Sequence, residues 1–253
     1  MTWSLEHGMV VQRWGDAARP ELVWVHGLGE SSVSFEPIAR HAALAQFRHT
    51  LVDLPGYGRS PWPDEAEGLV AVADRLASWL GGAASRAIVV GHSMGGVLAL
   101  LVAERGAARA IVDIDGNLTR SDCTFSAQAI ADPDPVGALA AVRDGVYARG
   151  ATAPALRGYH AALMFASPAM FHRHAADLVA MSERGDLVSR LVALRVPALY
   201  IAGVPDGISA ASRAELAARG ARWIGVEPAG HWVYVDQPDA FARAVAAFAT
   251  AAT

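Results

Sequence analysis

Apolar residues follow two alternating rhythms along this chain. Short runs rich in Val, Ile and Leu occur at Leu22–His26, Thr50–Asp53, Ala87–Gly91, Ala110–Asp115, Ala198–Ala202 and Trp223–Val226. Near-continuous apolar runs of this length predict strands buried on both faces, as in a parallel sheet. His7–Trp14 reads as an added antiparallel edge strand. Between these runs, Phe35–Leu44, Leu69–Leu80, Gly96–Glu104, Ala211–Arg219 and Asp239–Thr250 carry apolar residues at helical spacing. Strands alternating with helices predict an α/β fold on a mostly parallel, doubly wound sheet with right-handed crossovers.

The alternation stops between about Asn117 and Arg195. That stretch reads as mostly helical, with Pro133, Pro135, Gly150, Pro154 and Pro168 as punctuation. The expected organisation is therefore a core of residues 1–116 and 196–253 and a helical insertion over 117–195.

Composition narrows the classes without choosing a function. The 253 residues are 53% hydrophobic and 18% charged with a net charge of −4, which suits a compact globular protein. There is no basic cluster, so a nucleic-acid surface is not expected. All 21 basic residues are arginine, and alanine is abundant, a bias that suits a GC-rich bacterial genome. Cys123 is the only cysteine, which excludes an intrachain disulfide and any cysteine-based zinc pattern. His172 and His174, two residues apart, do not suit a shared metal, and no metal site is expected. No signal peptide is visible in Met1–His7, and no apolar run nears the ~18–20 residues that span a bilayer. The expectation is a soluble cytoplasmic protein acting on a small molecule, with no membrane or nucleic-acid partner.

The chemistry concentrates in four segments. Gly91-His92-Ser93-Met94-Gly95 follows an apolar β-branched run and precedes a helical one. In that strand, turn, helix context a G-x-S-x-G pattern presents the serine on a sharp turn, with glycines where a Cβ would collide. Ser93 is the candidate nucleophile. His26-Gly27-Leu28-Gly29 leaves the strand Leu22–Val25 and can aim a backbone donor. The N–H groups of Leu28 and Met94 are candidates to hold an oxyanion, the second at a helix start where the dipole also favours negative charge. Pro228-Ala229-Gly230-His231-Trp232 follows the strand Trp223–Val226, which places His231 at the carboxyl edge of the sheet, where α/β proteins gather their chemistry. Asp53-Leu54-Pro55-Gly56-Tyr57-Gly58-Arg59-Ser60 carries no assignable catalytic group and reads as structural.

Together these pieces resemble the α/β-hydrolase fold superfamily, in the family's order and over nearly the whole chain. The resemblance implies Ser93 as nucleophile, His231 as general base, the Leu28 and Met94 amides as oxyanion hole, no cofactor, and the helical insertion as a cap. For the acid that orients the histidine, two positions compete. Asp206, in Gly203-Val204-Pro205-Asp206, matches the family's commonest placement. Asp115, in Asp113-Ile114-Asp115-Gly116, matches the branch that includes some haloalkane-dehalogenase-like members, and it is the preferred one. Asp113 faces the other side of its strand, Asp236 reads as a cap or surface group, and His92 reads as structural. A serine where haloalkane dehalogenases and epoxide hydrolases carry a carboxylate implies an acyl-enzyme.

Gly27 and Trp232, with Tyr159, Met164 and Phe165 on the expected cap, are candidates to line a pocket for a small apolar acyl or aryl substrate. The expected function is hydrolysis of a carboxylic ester. The same triad could act on a lactone, a thioester or a C–C bond, and a ligand-binding module on a hydrolase scaffold is the reading from another class.

Overall fold

The computed structural model describes residues 1–253. Eight strands form one sheet: β1 (Thr2–Glu6), β2 (Met9–Trp14), β3 (Glu21–Val25), β4 (Arg48–Asp53), β5 (Ile88–His92), β6 (Ala110–Ile114), β7 (Ala198–Asp206) and β8 (Trp223–Gly230). Their order is β1-β2-β4-β3-β5-β6-β7-β8. The β1–β2 and β2–β4 pairs are antiparallel, and every pair from β4 to β8 is parallel. All residues of β5 and β6 are buried, which explains their mostly apolar composition, Ile88–Val90 and Ala110–Val112 above all.

The predicted strands are all present. The edge strand read at His7–Trp14 is one arm of a hairpin, with β1 as the unforeseen outer arm. β1 alternates exposed and partly buried positions and so leaves little apolar signal. The continuous helix expected over Phe35–Leu44 is instead a short α1 (Glu36–Ala39) followed by a 3₁₀ turn at Ala42–Leu44. Pro37 can start a helix, and the His41 ring, accepting from the Ala43 N–H, caps the second turn and separates it from the first.

Helices α2 (Leu69–Trp79) and α3 (Met94–Glu104) follow, and α3 is buried from Met94 to Ala103. Between β6 and β7 the chain makes a helical excursion: α4 (Thr124–Ala129), α5 (Pro135–Gly150), α6 (Pro154–Leu163), α7 (Pro168–Glu183) and α8 (Leu187–Val192). Pro135, Pro154 and Pro168 stand at first helical positions, where the missing N–H has no intrahelical partner to lose. The excursion is tied to the sheet side by buried polar contacts. The Ser167 N–H donates to the Gly56 carbonyl at 2.7 Å, and the Tyr57 hydroxyl lies 2.9 Å from His174 Nδ1. Helices α9 (Ala210–Ala218), α10 (Val233–Asp236) and α11 (Pro238–Ala251) complete the chain. No helix is long and apolar enough to cross a membrane.

Asp113 on β6 shows how tightly this core is closed. A Cβ at Gly96 or Gly116 would overlap its carboxyl group, and Oδ1 accepts the Gly116 N–H at 3.0 Å. Burial pushes the Asp113 carboxyl up to about 8, so it is largely neutral at pH 7. An unfolded aspartate loses its proton near pH 3.9. The stability this group contributes is therefore complete below that pH and is lost as pH rises through about 8. Asp113→Asn keeps an acceptor for Gly116 and removes the titration. Its stability relative to wild type is expected to rise between pH 4 and pH 8 by up to ~1.4 kcal/mol per unit, read from urea midpoints at pH 5 and pH 8. Equal differences at the two pH values would contradict this.

Candidate active site

Chain order reverses across β3 and β5. From β3 the chain steps to β4 on one side, and then crosses to β5 on the other. At such a switch point the loops leaving the carboxyl ends of adjacent strands diverge and leave a crevice. The loop after β3 carries Gly27 and Leu28, and the turn after β5 carries Ser93.

Ser93 has φ 53° and ψ −117°, a conformation that non-glycine residues rarely adopt. The turn is held by the Ser93 N–H donating to the Ile114 carbonyl at 2.8 Å and by the start of α3. The flanking glycines are required by close approach. A Cβ at Gly91 would overlap the Gly95 carbonyl, and one at Gly95 would overlap the Val25 carbonyl. Met94 N–H is the first amide of α3 and has no intrahelical acceptor. Leu28 N–H likewise makes no hydrogen bond within the protein.

These loops frame a cavity with about 30 Å³ of free interior volume. The core contributes Gly27, Leu28, Glu30, His92, Ser93, His231 and Trp232. The excursion contributes Asn117, Asp122, Phe125, Ser126, Tyr159 and Leu178. An apolar groove of about 380 Å³ lies alongside, sharing Glu30, Tyr159 and Trp232 and extending over Pro37, Ala162 and Phe165.

Ser93 and His231 line the same cavity without a hydrogen bond between them. His231 Nδ1 lies 4.0 Å from Asp115 Oδ2, just beyond hydrogen-bond contact. Asp115 is buried at the end of β6 with φ 46°. Its Oδ1 accepts the Gly203 N–H at 3.0 Å, while Oδ2 has no partner. Burial pushes the Asp115 carboxyl well up, and burial, with His92 adding repulsion, pushes His231 down to about 3. The imidazole is therefore neutral at ordinary pH and able to accept a proton.

Asp206 is placed differently. β7 runs on past the core so that Asp206 pairs with Gly230, and its side chain is exposed on the rim of an open cleft beside His231. It makes no hydrogen bond or ion pair with the imidazole. Asp236 accepts the Gly230 N–H at 2.8 Å and so fastens the loop that carries His231. Among the pocket candidates, Gly27, Tyr159 and Trp232 line the cavity, and Phe165 lines only the apolar groove. Met164 lines neither and is 52% exposed, because it follows α6 on the face turned to solvent.

The residue that connects the site is Glu30, which sequence patterning passed over. Its Oε2 accepts from the Gly27 N–H at 2.7 Å and meets His92 Nδ1 at 2.9 Å. Its Oε1 accepts the Trp232 indole N–H at 2.5 Å, and His92 Nε2 lies 2.9 Å from the His231 carbonyl. Burial alone would raise this carboxyl, but His92, the Gly27 amide and Trp232 hold it at about 2. One buried carboxylate thus joins the turn after β3, the strand before Ser93 and the loop of His231. Its one sequence signal is an acidic residue in an otherwise apolar, glycine-rich strand exit. Asn117, Asp122, Phe125, Ser126 and Leu178 had no local signal, because only the path of the excursion brings them to Ser93.

Comparison with known proteins places this arrangement. Residues 22–244 match the sequence model of the Alpha/beta hydrolase family. The chain is 31% identical over 245 residues to a part of the polyketide synthase ThaQ of Burkholderia thailandensis, covering 90% of this chain and 12% of the synthase. It is 32% identical over 102 residues to a pimeloyl-[acyl-carrier protein] methyl ester esterase of Shewanella oneidensis, covering 39% of this chain and 34% of that protein. The chain thus spans well under two thirds of the length of either relative. Among solved structures, the enol-lactonase from Burkholderia xenovorans LB400 superimposes with a TM-score of 0.76 at 22% identity, covering 98% of this chain and 100% of that one.

Proposed function

This chain belongs to the α/β-hydrolase family, and we propose that it is a hydrolase that cleaves a carboxylic ester through an acyl-enzyme on Ser93. The observation that carries the reading is one cavity lined by Ser93, on its strained turn, and by His231, whose Nδ1 faces the unpartnered Oδ2 of buried Asp115.

In this mechanism the Ser93 hydroxyl attacks the ester carbonyl and its proton passes to His231 Nε2. Asp115 Oδ2 accepts the Nδ1–H, fixes the tautomer and stabilises the imidazolium that forms. Closing the 4.0 Å gap is part of substrate binding, since catalytic hydrogen bonds tighten in the bound complex. The Leu28 and Met94 amides hold the oxyanion, and neither has to give up a protein acceptor to do so. His231 returns the proton to the departing alcohol and then takes one from water; the hydroxide attacks the acyl carbon, and His231 gives that proton to Ser93 Oγ as the C–Oγ bond breaks and the acid leaves. Glu30 and His92 keep the three loops in register. The helical excursion serves as a cap over Ser93, and the apolar groove receives an alkyl or aryl part of the substrate.

A fluorophosphonate probe tests the nucleophile directly. Wild type is expected to gain one adduct mass, with the Ser93 Oγ–P bond replacing P–F, and the peptide carrying Ser93 is expected to hold it. Labelling elsewhere, or none after an hour at millimolar probe, would sink the reading.

A second substrate class is favoured by the relatives' names, a polyketide synthase and an esterase of an acyl-carrier-protein methyl ester. The same chemistry on an acyl group delivered by a carrier protein would give faster hydrolysis of the carrier-bound ester than of the free methyl ester.

A further inference from the structure

Two residues that line the cavity each carry a buried polar atom without a partner, and neither is used by the mechanism above. Asn117 is 5% exposed and Ser126 is 3% exposed, and both line the cavity that holds Ser93. The Asn117 amide is oriented by its nitrogen, which donates to the Asp122 carbonyl at 3.0 Å. Its Oδ1 is therefore the free end, and it makes no hydrogen bond. Ser126 Oγ, on α4, makes none either. A buried polar atom left unpaired costs roughly 1–3 kcal/mol, so two beside one cavity mark a place where something polar belongs.

The chemistry of the pair selects the occupant. Asn117 Oδ1 only accepts, whereas Ser126 Oγ can donate. A hydroxyl can serve both, by donating to Asn117 and accepting from Ser126, whether it belongs to a bound water or to a substrate that displaces it. An ammonium would bring no acceptor for the Ser126 O–H, and an ether oxygen no donor for Asn117. Charge narrows the choice further. The carboxyl side chains of the lining are Glu30, held ionised, and Asp122, and no arginine lines the cavity, so an acyl group bearing a carboxylate would be repelled. The cavity beside Ser93 is small, about 30 Å³, which favours a short acyl chain over a long one.

Resting on the esterase reading above, we infer that Asn117 and Ser126 form a specificity site for a short, uncharged hydroxyacyl group. The acyl half carries its hydroxyl to this pair, and the apolar half of the ester lies in the adjoining groove.

The test compares phenyl esters that differ by a methyl for a hydroxyl. Butanoate is set against 3-hydroxypropanoate, and 2-methylpropanoate against each enantiomer of 2-hydroxypropanoate. The 3-methoxypropanoate ester and a succinate half-ester complete the panel. At least one hydroxyacyl ester is expected to exceed its methyl counterpart in kcat/KM by about tenfold or more, the worth of one well-placed hydrogen bond. Methylating the 3-hydroxyl or adding a carboxylate should abolish the advantage. Within each of Asn117→Leu and Ser126→Ala, the hydroxy-to-methyl ratio should fall towards one, a readout that general damage to the enzyme would not move. Ratios near one in wild type, or unchanged ratios in both variants, would overturn the proposal while leaving the esterase reading intact. If no ester is turned over and the fluorophosphonate does not label Ser93, the esterase reading fails. The site is then tested by thermal shift with 3-hydroxypropanamide against butanamide, and a shift no larger for the hydroxy compound would refute it.

Discussion

Replacing Ser93 with alanine is expected to lower kcat for phenyl ester hydrolysis by about 10⁴- to 10⁶-fold, with KM little changed. Nucleophile and base act as a unit, so losing the hydroxyl forfeits the covalent route altogether. The remaining rate over water would come from the Leu28 and Met94 amides and from binding alone. The fold should tolerate the change, because the turn is held by the Ser93 backbone N–H on the Ile114 carbonyl and not by the side chain. Alanine at φ 53° bears about the same backbone strain as serine. Steady-state kinetics on wild type and variant, with thermal melts to verify folding, measure the effect. Turnover within tenfold of wild type would mean that Ser93 is not the nucleophile.

Replacing Asp115 with asparagine should lower kcat by about 10³- to 10⁴-fold, while Asp206→Asn should leave it within about threefold. The asymmetry follows from what each carboxyl group meets. Asp115 is buried, its Oδ1 is anchored by Gly203 N–H, and its free Oδ2 faces His231 Nδ1 at 4.0 Å. An amide there would keep the Gly203 bond but turn an N–H towards the imidazole, favouring the tautomer that cannot take the Ser93 proton. It would also remove the carboxylate that forms against the imidazolium and balances it, in a site where burial already opposes that cation. Asp206 is exposed and bonded to nothing at the site, so solvent screens whatever it contributes. Fluorophosphonate labelling rates should rank the variants in the same order as kcat. A larger loss from Asp206→Asn than from Asp115→Asn would reverse the assignment of the acid.

The local pieces of this protein were legible because each is written within a short stretch of chain. Buried parallel strands need apolar runs, and β3, β5 and β6 carry them at Leu22–Val25, Ile88–Val90 and Ala110–Val112. The turn at Ser93 needs glycines where backbones touch, and Gly91 and Gly95 are those glycines. His231 was recognisable as a histidine between the last strand and the final helices. β1 was not legible, because a half-exposed edge strand buries little apolar surface. The helix expected over Phe35–Leu44 was mistaken because the apolar rhythm continues across a break that His41 caps.

What the sequence could not decide were questions of which strand end reaches which side chain. Asp115 and Asp206 both end neighbouring parallel strands, and the motifs alone only lean towards Asp115. The difference is that β7 runs on beside β8 to Gly230 and carries Asp206 out to solvent, while β6 stops at Ile114 and leaves Asp115 inside. The same holds for Glu30, Asn117 and Ser126, and for Met164, which the sequence put in the pocket and the fold turns outward. Their positions depend on where the excursion between β6 and β7 returns over the sheet. Periodicity fixes which face of an element is buried, but burial against a particular partner is set only when all the elements pack together.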